Sequence, residues 1–230
     1  MIYDRENIQV RTLHRAVDFT DKNVLEIGCG DGKISVFLAE GAKEYTAIDP
    51  DEDKISRAAA ASAGTGRLTF QTGTGQDLAF ESGTLDLVLF TLSLHHQESA
   101  RALDEAFRVL RPGGHALVLE PCADGEFQQC FHLFEDETRA LEQAREAVSQ
   151  SRFTCTASGR FSVPAEFEGL EDIYDYFFNR DGEALNTPEN LDCPENRDKI
   201  LNLLGEFGKT PAAGPFSVYE TLVLYTLEKT

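Results

Sequence analysis

The sequence of 230 residues contains 40 acidic and 21 basic side chains, which gives a formal net charge of −19 at pH 7. A field of this sign repels phosphate backbones and anionic lipids, so neither nucleic acids nor membrane surfaces are expected partners. The five cysteines are scattered without a Cys-x-x-Cys pair, and the most apolar run, residues 85–94, is too short to span a membrane, so we expect a reduced cytoplasmic protein.

Strands and helices are predicted to alternate through the first half of the chain. The hydrophobic pattern and the turn residues predict strands at 23–27, 44–48, 68–71, 85–90 and 115–120, and helices at 4–17, 33–40, 51–63 and 99–110. This alternation indicates an α/β fold, a doubly wound and mostly parallel sheet with helices on both faces. Ligands of such sheets bind beyond the carboxyl ends of the strands, which predicts one crevice lined by residues 28–32, 49–50, 74–77 and 91–96.

The alternation stops after Pro121. Helices are predicted at 135–149, 169–178 and 197–207, the remainder of 150–215 is expected to be irregular because prolines recur, and a final strand is predicted at 217–228. We interpret 1–230 as a single domain in which residues 122–215 cap the active site. The aromatic residues of this segment either roof over a substrate or belong to the core; they are Phe127, Phe131, Phe134, Tyr174, Tyr176, Phe177 and Phe178.

A glycine cluster follows the first predicted strand. Gly28 and Gly30 let the backbone approach a ligand, and Gly32 allows tight packing where the next helix begins. Asp49 stands about 20 residues further on, at the end of the next strand, where a carboxylate can accept hydrogen bonds from both hydroxyls of a ribose. The alternative is that Asp49 caps the helix that starts near Asp51.

Four segments resemble, in order, the motifs of class I S-adenosylmethionine-dependent methyltransferases of the small-molecule branch. Residues 24–32 resemble their motif I, residues 47–50 their second motif, residues 85–96 the fourth-strand motif, and residues 107–117 the helix and turn before the fifth strand. The similarity covers roughly residues 20–121. It implies a seven-stranded sheet with an antiparallel last strand, and S-adenosylmethionine as the cofactor.

The resemblance also implies roles for particular residues. Gly28 and Gly30 would line the methionine part of the cofactor, and Glu26 would either orient the loop or meet the cofactor amine. Asp49 would bind the ribose hydroxyls and Pro50 would pack against adenine. The complete cofactor set implied is Glu26, Gly28, Cys29, Gly30, Asp49, Pro50, Thr74, Gly75 and Leu92.

Thr74 departs from the family pattern. The family usually has an aspartate at this position, which accepts a hydrogen bond from the adenine amino group. A threonine hydroxyl can accept such a bond, but it is a weaker acceptor than a carboxylate.

Two adjacent histidines are the candidate catalytic residues. Methyl transfer from a sulfonium is an in-line displacement that needs alignment and sometimes a base. His95 and His96 follow the fourth strand and are predicted to face the crevice; the alternative is that they only pack there. Glu120 is a second candidate base, or it binds backbone amides. No metal site is predicted, because the histidines are adjacent and no carboxylate cluster accompanies them.

The sequence therefore predicts an enzyme that methylates a small molecule. One alternative is a protein that binds S-adenosylmethionine without transferase activity. Another is a nicotinamide-dependent oxidoreductase, although its usual Gly-x-Gly-x-x-Gly spacing differs from Gly28-x-Gly30-x-Gly32.

Overall fold

The computed structural model describes residues 1–62, 66–178, 192–211 and 214–230. Its strands are β1 (Ile2–Tyr3), β2 (Asn23–Ile27), β3 (Glu44–Asp49), β4 (Leu68–Thr72), β5 (Leu85–Thr91), β6 (Leu110–Pro121), β7 (Thr154–Phe167) and β8 (Phe216–Glu228). Its helices are α1 (Ile8–Ala16), α2 (Ser35–Leu38), α3 (Glu52–Ala61), α4 (Ser99–Val109), α5 (Glu126–His132), α6 (Thr138–Gln150), α7 (Leu170–Phe178) and α8 (Pro194–Glu206), and Leu94–His96 form a 3₁₀ turn.

Strand β2 lies at the centre of a parallel array. It pairs with β3 on one side and β5 on the other, while β4 pairs with β3 and β6 pairs with β5. In the described part of the chain the sheet has eight strands, in the order β1-β7-β8-β6-β5-β2-β3-β4. The chain moves outward from β2 to β4 and then returns to β5 on the other side of β2. The junction of β2 and β5 is therefore the switch point at which ligands of such sheets bind.

The buried strands β2 and β5 form the centre of the hydrophobic core. Leu25 and Ile27 of β2 and Val88 and Phe90 of β5 are almost inaccessible to solvent. Strands that are buried on both faces have near-continuous apolar sequences, as these two do. In the register of the sheet, Ile27 lies beside Ile48 of β3 and beside Phe90 of β5. The three strands therefore end at one level, and the loops that follow them emerge at the same edge of the sheet.

The α/β fold class predicted from the sequence is confirmed, with corrections to the strand count and to the second half of the chain. Within the described ranges the sheet has eight strands rather than the seven expected. The expectation that 150–215 is mostly irregular is wrong for β7, whose first seven residues are exposed. Because both faces of that stretch carry small or polar side chains, no apolar alternation marks it as a strand. Residues 179–191 and 212–213 lie outside the described ranges.

Helix boundaries differ modestly from those predicted. Helix α1 begins at Ile8, and its first amide donates to the Asp4 carboxylate at 2.7 Å, so Asp4 holds the start of the helix. The helix predicted at 33–40 is only the single turn of α2, and α5 was not predicted. Among the described residues, no helix combines the length and the apolarity needed to cross a membrane.

Two units of structure can be distinguished within the chain. The larger contains residues 9–120, 140–160 and 223–230, and the smaller contains residues 1–8, 121–139 and 161–222. The smaller unit has its own aromatic core, in which Phe127, Tyr174 and Phe177 are buried. Of the two roles predicted for these three residues, their burial therefore fits packing in a core. That residues 122–215 cap an active site stays a prediction.

Candidate cofactor and active site

The turn after β2 is fastened to the neighbouring strand by its backbone. The amides of Gly28 and Cys29 both donate to the Ile48 carbonyl of β3, at 2.8 and 3.0 Å. Gly28, Gly30 and Gly32 all have positive φ angles, between 55° and 76°. Residues with a side chain rarely adopt this conformation, so the sequence of alternating glycines permits this turn.

The three glycines differ in what surrounds them. A Cβ on Gly28 would lie 2.3 Å from the Ser93 Cβ, and a Cβ on Gly32 would lie 2.7 Å from the Phe70 ring. A Cβ on Gly30 would meet no protein atom within 4 Å. Gly28 and Gly32 are therefore required by packing within the protein, whereas Gly30 borders open space. The contact with Ser93 is thus a packing reason for Gly28, and its role beside a ligand stays a prediction.

Asp49, the last residue of β3, ties the glycine turn to the start of α3. One carboxylate oxygen accepts the Gly30 amide at 2.8 Å and the other accepts the Asp51 amide at 3.0 Å. Asp51, not Asp49, caps α3, because its carboxylate accepts the amides of Asp53 and Lys54. Each oxygen of Asp49 retains a further acceptor position, because a carboxylate oxygen has two lone pairs. Pro50 follows at the exposed rim.

Glu26 lies completely inside the larger unit. One of its carboxylate oxygens accepts the hydroxyls of Ser35 (2.6 Å) and Tyr45 (3.0 Å), and the other accepts the Thr91 hydroxyl at 2.7 Å. These donors belong to α2, β3 and β5. Of the two roles implied for Glu26, the geometry fits orientation of the loop, since the carboxylate joins the elements around it. Burial raises the pKa of the Glu26 carboxyl, and the three hydroxyl bonds oppose that shift.

Replacing Glu26 by alanine is expected to lower the free energy of unfolding by about 2–4 kcal/mol, because three buried hydroxyls lose their acceptor. Glu26→Gln keeps the shape and should cost less. Since the folded-state pKa is raised, the contribution of Glu26 to stability is largest at low pH and declines as the pH rises through that pKa. The free energy of unfolding of Glu26→Gln should therefore rise relative to that of the parent as the pH increases. Urea unfolding between pH 5 and pH 8 measures this; a parallel pH dependence in both proteins would contradict it.

Cys29 occupies the middle of the glycine turn as a buried thiol. Burial raises its pKa far above the ordinary value, with further contributions from the carboxylates of Glu26 and Asp49. The thiol is therefore neutral near pH 7 and unsuited to act as a nucleophile.

The loop after β4 folds against the end of β2. Gly73 donates its amide to the Asp49 carbonyl at 3.1 Å, Thr74 is exposed, and Gly75 is buried. A Cβ on Gly75 would lie 2.3 Å from the side-chain oxygen of Gln97 and 3.0 Å from the Ile27 side chain. The predicted loop residues are thus brought to the edge of the sheet that carries Gly30 and Asp49.

The turn after β5 completes the switch point. Leu92 has a φ of 56°, uncommon for a residue with a side chain, and its amide donates to the Leu119 carbonyl at 2.8 Å. The reversal at Leu92 directs Ser93 back onto β2, where its hydroxyl donates to the Ile27 carbonyl at 2.5 Å. Strained backbone of this kind persists where the surrounding structure enforces it, often at functional sites.

The two candidate catalytic histidines have different environments. His95 is buried, and its Nδ1 makes a very short contact with the Glu120 carboxylate, whose other oxygen accepts the Leu94 amide at 2.9 Å. His96 is exposed, and its ring centroid lies 3.9 Å from that of His95. Glu120 therefore anchors the 3₁₀ turn that carries both rings.

Ser93 and Gln97 join the three loops; sequence reasoning included Ser93 only as part of the crevice segment 91–96, without a role, and missed Gln97. Ser93 is a small polar residue directly after a buried strand, and that position is the one sequence signal for its role. Gln97 follows the two histidines without any recognisable pattern. Their importance comes from contacts with glycines 28 and 75, which are distant in the sequence.

The open space and the acceptors at this edge fit a ligand that carries neighbouring hydroxyl groups, such as a ribose. Open space beside Gly30 admits close approach to the backbone, and Asp49 has acceptor positions left for hydroxyl groups. The turn lies where the strand order reverses, as ligand sites of this fold class do.

Residues 25–118 match the family model described as a methyltransferase domain. The match covers less than half of the chain, so it is this stretch that resembles a methyltransferase domain. A relative from Mycolicibacterium smegmatis, named as a probable S-adenosylmethionine-dependent methyltransferase, is 32% identical over 117 residues, which are 50% of this chain and 43% of that protein. The chain spans less than half the length of the first curated relatives that it matches.

Solved structures share the fold of this chain. The YcgJ protein of Bacillus subtilis superimposes with a TM-score of 0.67 at 17% identity, covering 96% of this chain and 97% of its own. The [4+2]-cyclase SpnF superimposes with a TM-score of 0.62 at 16% identity, covering 96% of this chain and 80% of its own. At such low identity the likeness concerns the fold alone, and the fold hosts more than one reaction.

Proposed function

We propose that the protein binds S-adenosylmethionine at the carboxyl ends of β2, β3 and β4 and transfers its methyl group to a small-molecule acceptor. The observation that carries this proposal is the joint placement of Gly30, with open space at its Cβ position, and Asp49, whose carboxylate holds the Gly30 amide. The match of residues 25–118 to methyltransferase domains supports it.

In this proposal the residues of the chain bind and align. The cofactor, when bound, supplies a methyl group on a positively charged sulfur, which is already activated for displacement. Asp49 accepts the ribose hydroxyls, Gly30 permits close contact with the methionine part, and Pro50 packs against the base. The Ser93 contacts keep the turn after β5 fixed against the turn after β2. Alignment of this kind lowers the barrier because reacting groups are held in position before the reaction.

The two histidines have different roles in this proposal. His96 is the exposed ring, so it is the one placed to meet an acceptor and receive its proton. His95 is held by its contact with the Glu120 carboxylate and acts as a residue that positions His96. Removing His96 would therefore affect proton transfer, and removing His95 would affect the geometry of the turn.

We expect His96→Asn to lower kcat and to remove the acidic limb of the pH–rate profile. The reason is that a histidine base loses activity when it becomes protonated as the pH falls. His95→Asn should lower kcat but retain that limb. Steady-state rates between pH 5 and pH 9 distinguish the two variants, and an unchanged acidic limb in His96→Asn would exclude it as the base.

We further propose that residues 122–215 cover the acceptor and that the acceptor is not a polyanion. Support comes from the position of this segment in the chain, between β6 and β8, and from the net charge of −19. Binding to RNA or DNA that weakens with added salt would count against this part of the proposal.

Turnover is the direct test of the proposed activity. The protein is incubated with S-adenosylmethionine and pools of small hydroxyl, amine and carbon nucleophiles, and formation of S-adenosylhomocysteine is measured. We expect acceptor-dependent product with the native chain and much less with Asp49→Ala. Tight binding of S-adenosylhomocysteine without turnover in any pool would instead favour a cofactor-binding protein without transferase activity.

A further inference from the structure

Gln97 occupies a fixed position between the turn after β5 and the loop after β4. Its side-chain nitrogen donates to the Ser93 carbonyl at 3.0 Å, and its backbone amide donates to the Leu94 carbonyl. A carbonyl accepts hydrogen bonds and cannot donate them, so the bond to Ser93 determines which end of the amide is nitrogen. The side-chain oxygen of Gln97 must therefore point away from Ser93.

The oxygen points to the loop after β4. It would lie 2.3 Å from a Cβ placed on Gly75, so the glycine at 75 makes room for the amide. From the described residues this oxygen accepts no hydrogen bond, although the amide nitrogen and the backbone of Gln97 are engaged. A half-buried acceptor held in one orientation and left open is suited to a donor on a ligand.

A ligand that lies along this edge of the sheet would reach the loop beside the Gln97 oxygen. The ends of β2, β3 and β4 follow one another in the sheet, so a ligand that passes Gly30 and reaches Asp49 with its ribose continues toward the loop that starts at Gly73. On that loop Thr74 is exposed and offers a hydroxyl, a weaker acceptor than a carboxylate. The oxygen of Gln97 lies beside Gly75, the next residue.

We propose that the side-chain oxygen of Gln97 accepts a hydrogen bond from the exocyclic amino group of adenine and so selects adenine over 6-oxopurines. The inference rests on the proposed binding of S-adenosylmethionine. Gly75 provides the space for the Gln97 amide, and Ser93 fixes its orientation. A carboxylate at position 74 is not required, because the acceptor comes from the turn after β5. A 6-oxopurine presents an acceptor where adenine has a donor, so it would face the Gln97 oxygen without a hydrogen bond.

The test compares two ligands by calorimetry, S-adenosylhomocysteine and its inosine counterpart, S-inosylhomocysteine. The native chain should bind the adenine ligand at least about tenfold more tightly, the ratio expected from one hydrogen bond made or lost. Gln97→Met, which removes the amide at similar length, should weaken binding of the adenine ligand about tenfold and bring the two affinities close together. Gln143→Ala, a change of an exposed glutamine on α6, is the matched control and should preserve the ratio.

A second variant displaces the amide without removing it. Gly75→Ala places a methyl group where the Gln97 oxygen lies, so it should reduce the preference for adenine in the same way. Adding Thr74→Asp to Gln97→Met supplies a carboxylate on the loop and should restore the preference. Circular dichroism establishes that each variant is folded.

Two results would overturn the inference. One is equal affinity of the native chain for both ligands; the other is a Gln97→Met variant that keeps the native preference. Either would leave the proposed function standing. Failure of the native chain to bind either ligand would instead remove the proposed function itself, together with this inference.

Discussion

Gly28→Ala is expected to lower the free energy of unfolding by about 2–5 kcal/mol, because a side chain is strained at positive φ and the added methyl overpacks the site. The φ of Gly28 is 76°, and its Cβ would lie 2.3 Å from the Cβ of Ser93. Ser93 cannot easily move away, since its hydroxyl is bonded to the Ile27 carbonyl. Urea unfolding followed by circular dichroism measures the change.

Gly30→Ala is the matched control for this prediction. Its φ of 55° carries a similar backbone penalty, but no protein atom lies within 4 Å of the new Cβ. We expect a loss of stability of only about 1–2 kcal/mol, combined with weaker binding of S-adenosylhomocysteine. Equal destabilisation by the two substitutions would contradict the distinction between a packed glycine and one that borders the ligand space.

Asp49→Ala is expected to weaken binding of S-adenosylhomocysteine by about 1–3 kcal/mol, or roughly 5- to 150-fold, because it removes charge-assisted hydrogen bonds to two hydroxyls. The substitution also releases the Gly30 amide, which Asp49 holds at 2.8 Å. Calorimetry with the ligand measures the affinity of the variant and of the parent.

Asp51→Ala separates ribose binding from a general effect of charge. Asp51 is two residues away and uses its carboxylate to cap α3 through the amides of Asp53 and Lys54. Its removal should lower stability by about 1 kcal/mol and leave affinity near the parental value. If both substitutions weakened binding equally, Asp49 would have no specific role.

The parallel half of the fold was predictable because its pattern is local. Strands such as β2 and β5 are buried on both faces, so their apolar residues are continuous. The glycines that follow β2 and the cap residue Asp51 that follows β3 mark where the next elements begin. Strand β7 was not predictable in the same way. Its exposed first half has no face to bury, so its extended conformation depends on pairing in the sheet rather than on its own residue pattern.

The candidate site likewise contains residues that the local sequence indicates and residues that it does not. Gly30 and Asp49 were found from spacing along the chain, because a turn and the end of the next strand lie close in the sequence. The contacts of Gly28 with Ser93 and of Gly75 with Gln97 join residues that come together only through the strand order. Similarly, the three hydroxyls on Glu26 come from three different elements, so nothing near Glu26 in the sequence indicates them.

A calorimetric titration of the native chain with S-adenosylhomocysteine, alongside NAD as the competing class of cofactor, tests the proposed cofactor most directly. The arrangement of Gly30, Asp49 and Gln97 predicts saturable binding of one S-adenosylhomocysteine per chain and no detectable binding of NAD. Binding of NAD without binding of S-adenosylhomocysteine would contradict the proposed cofactor.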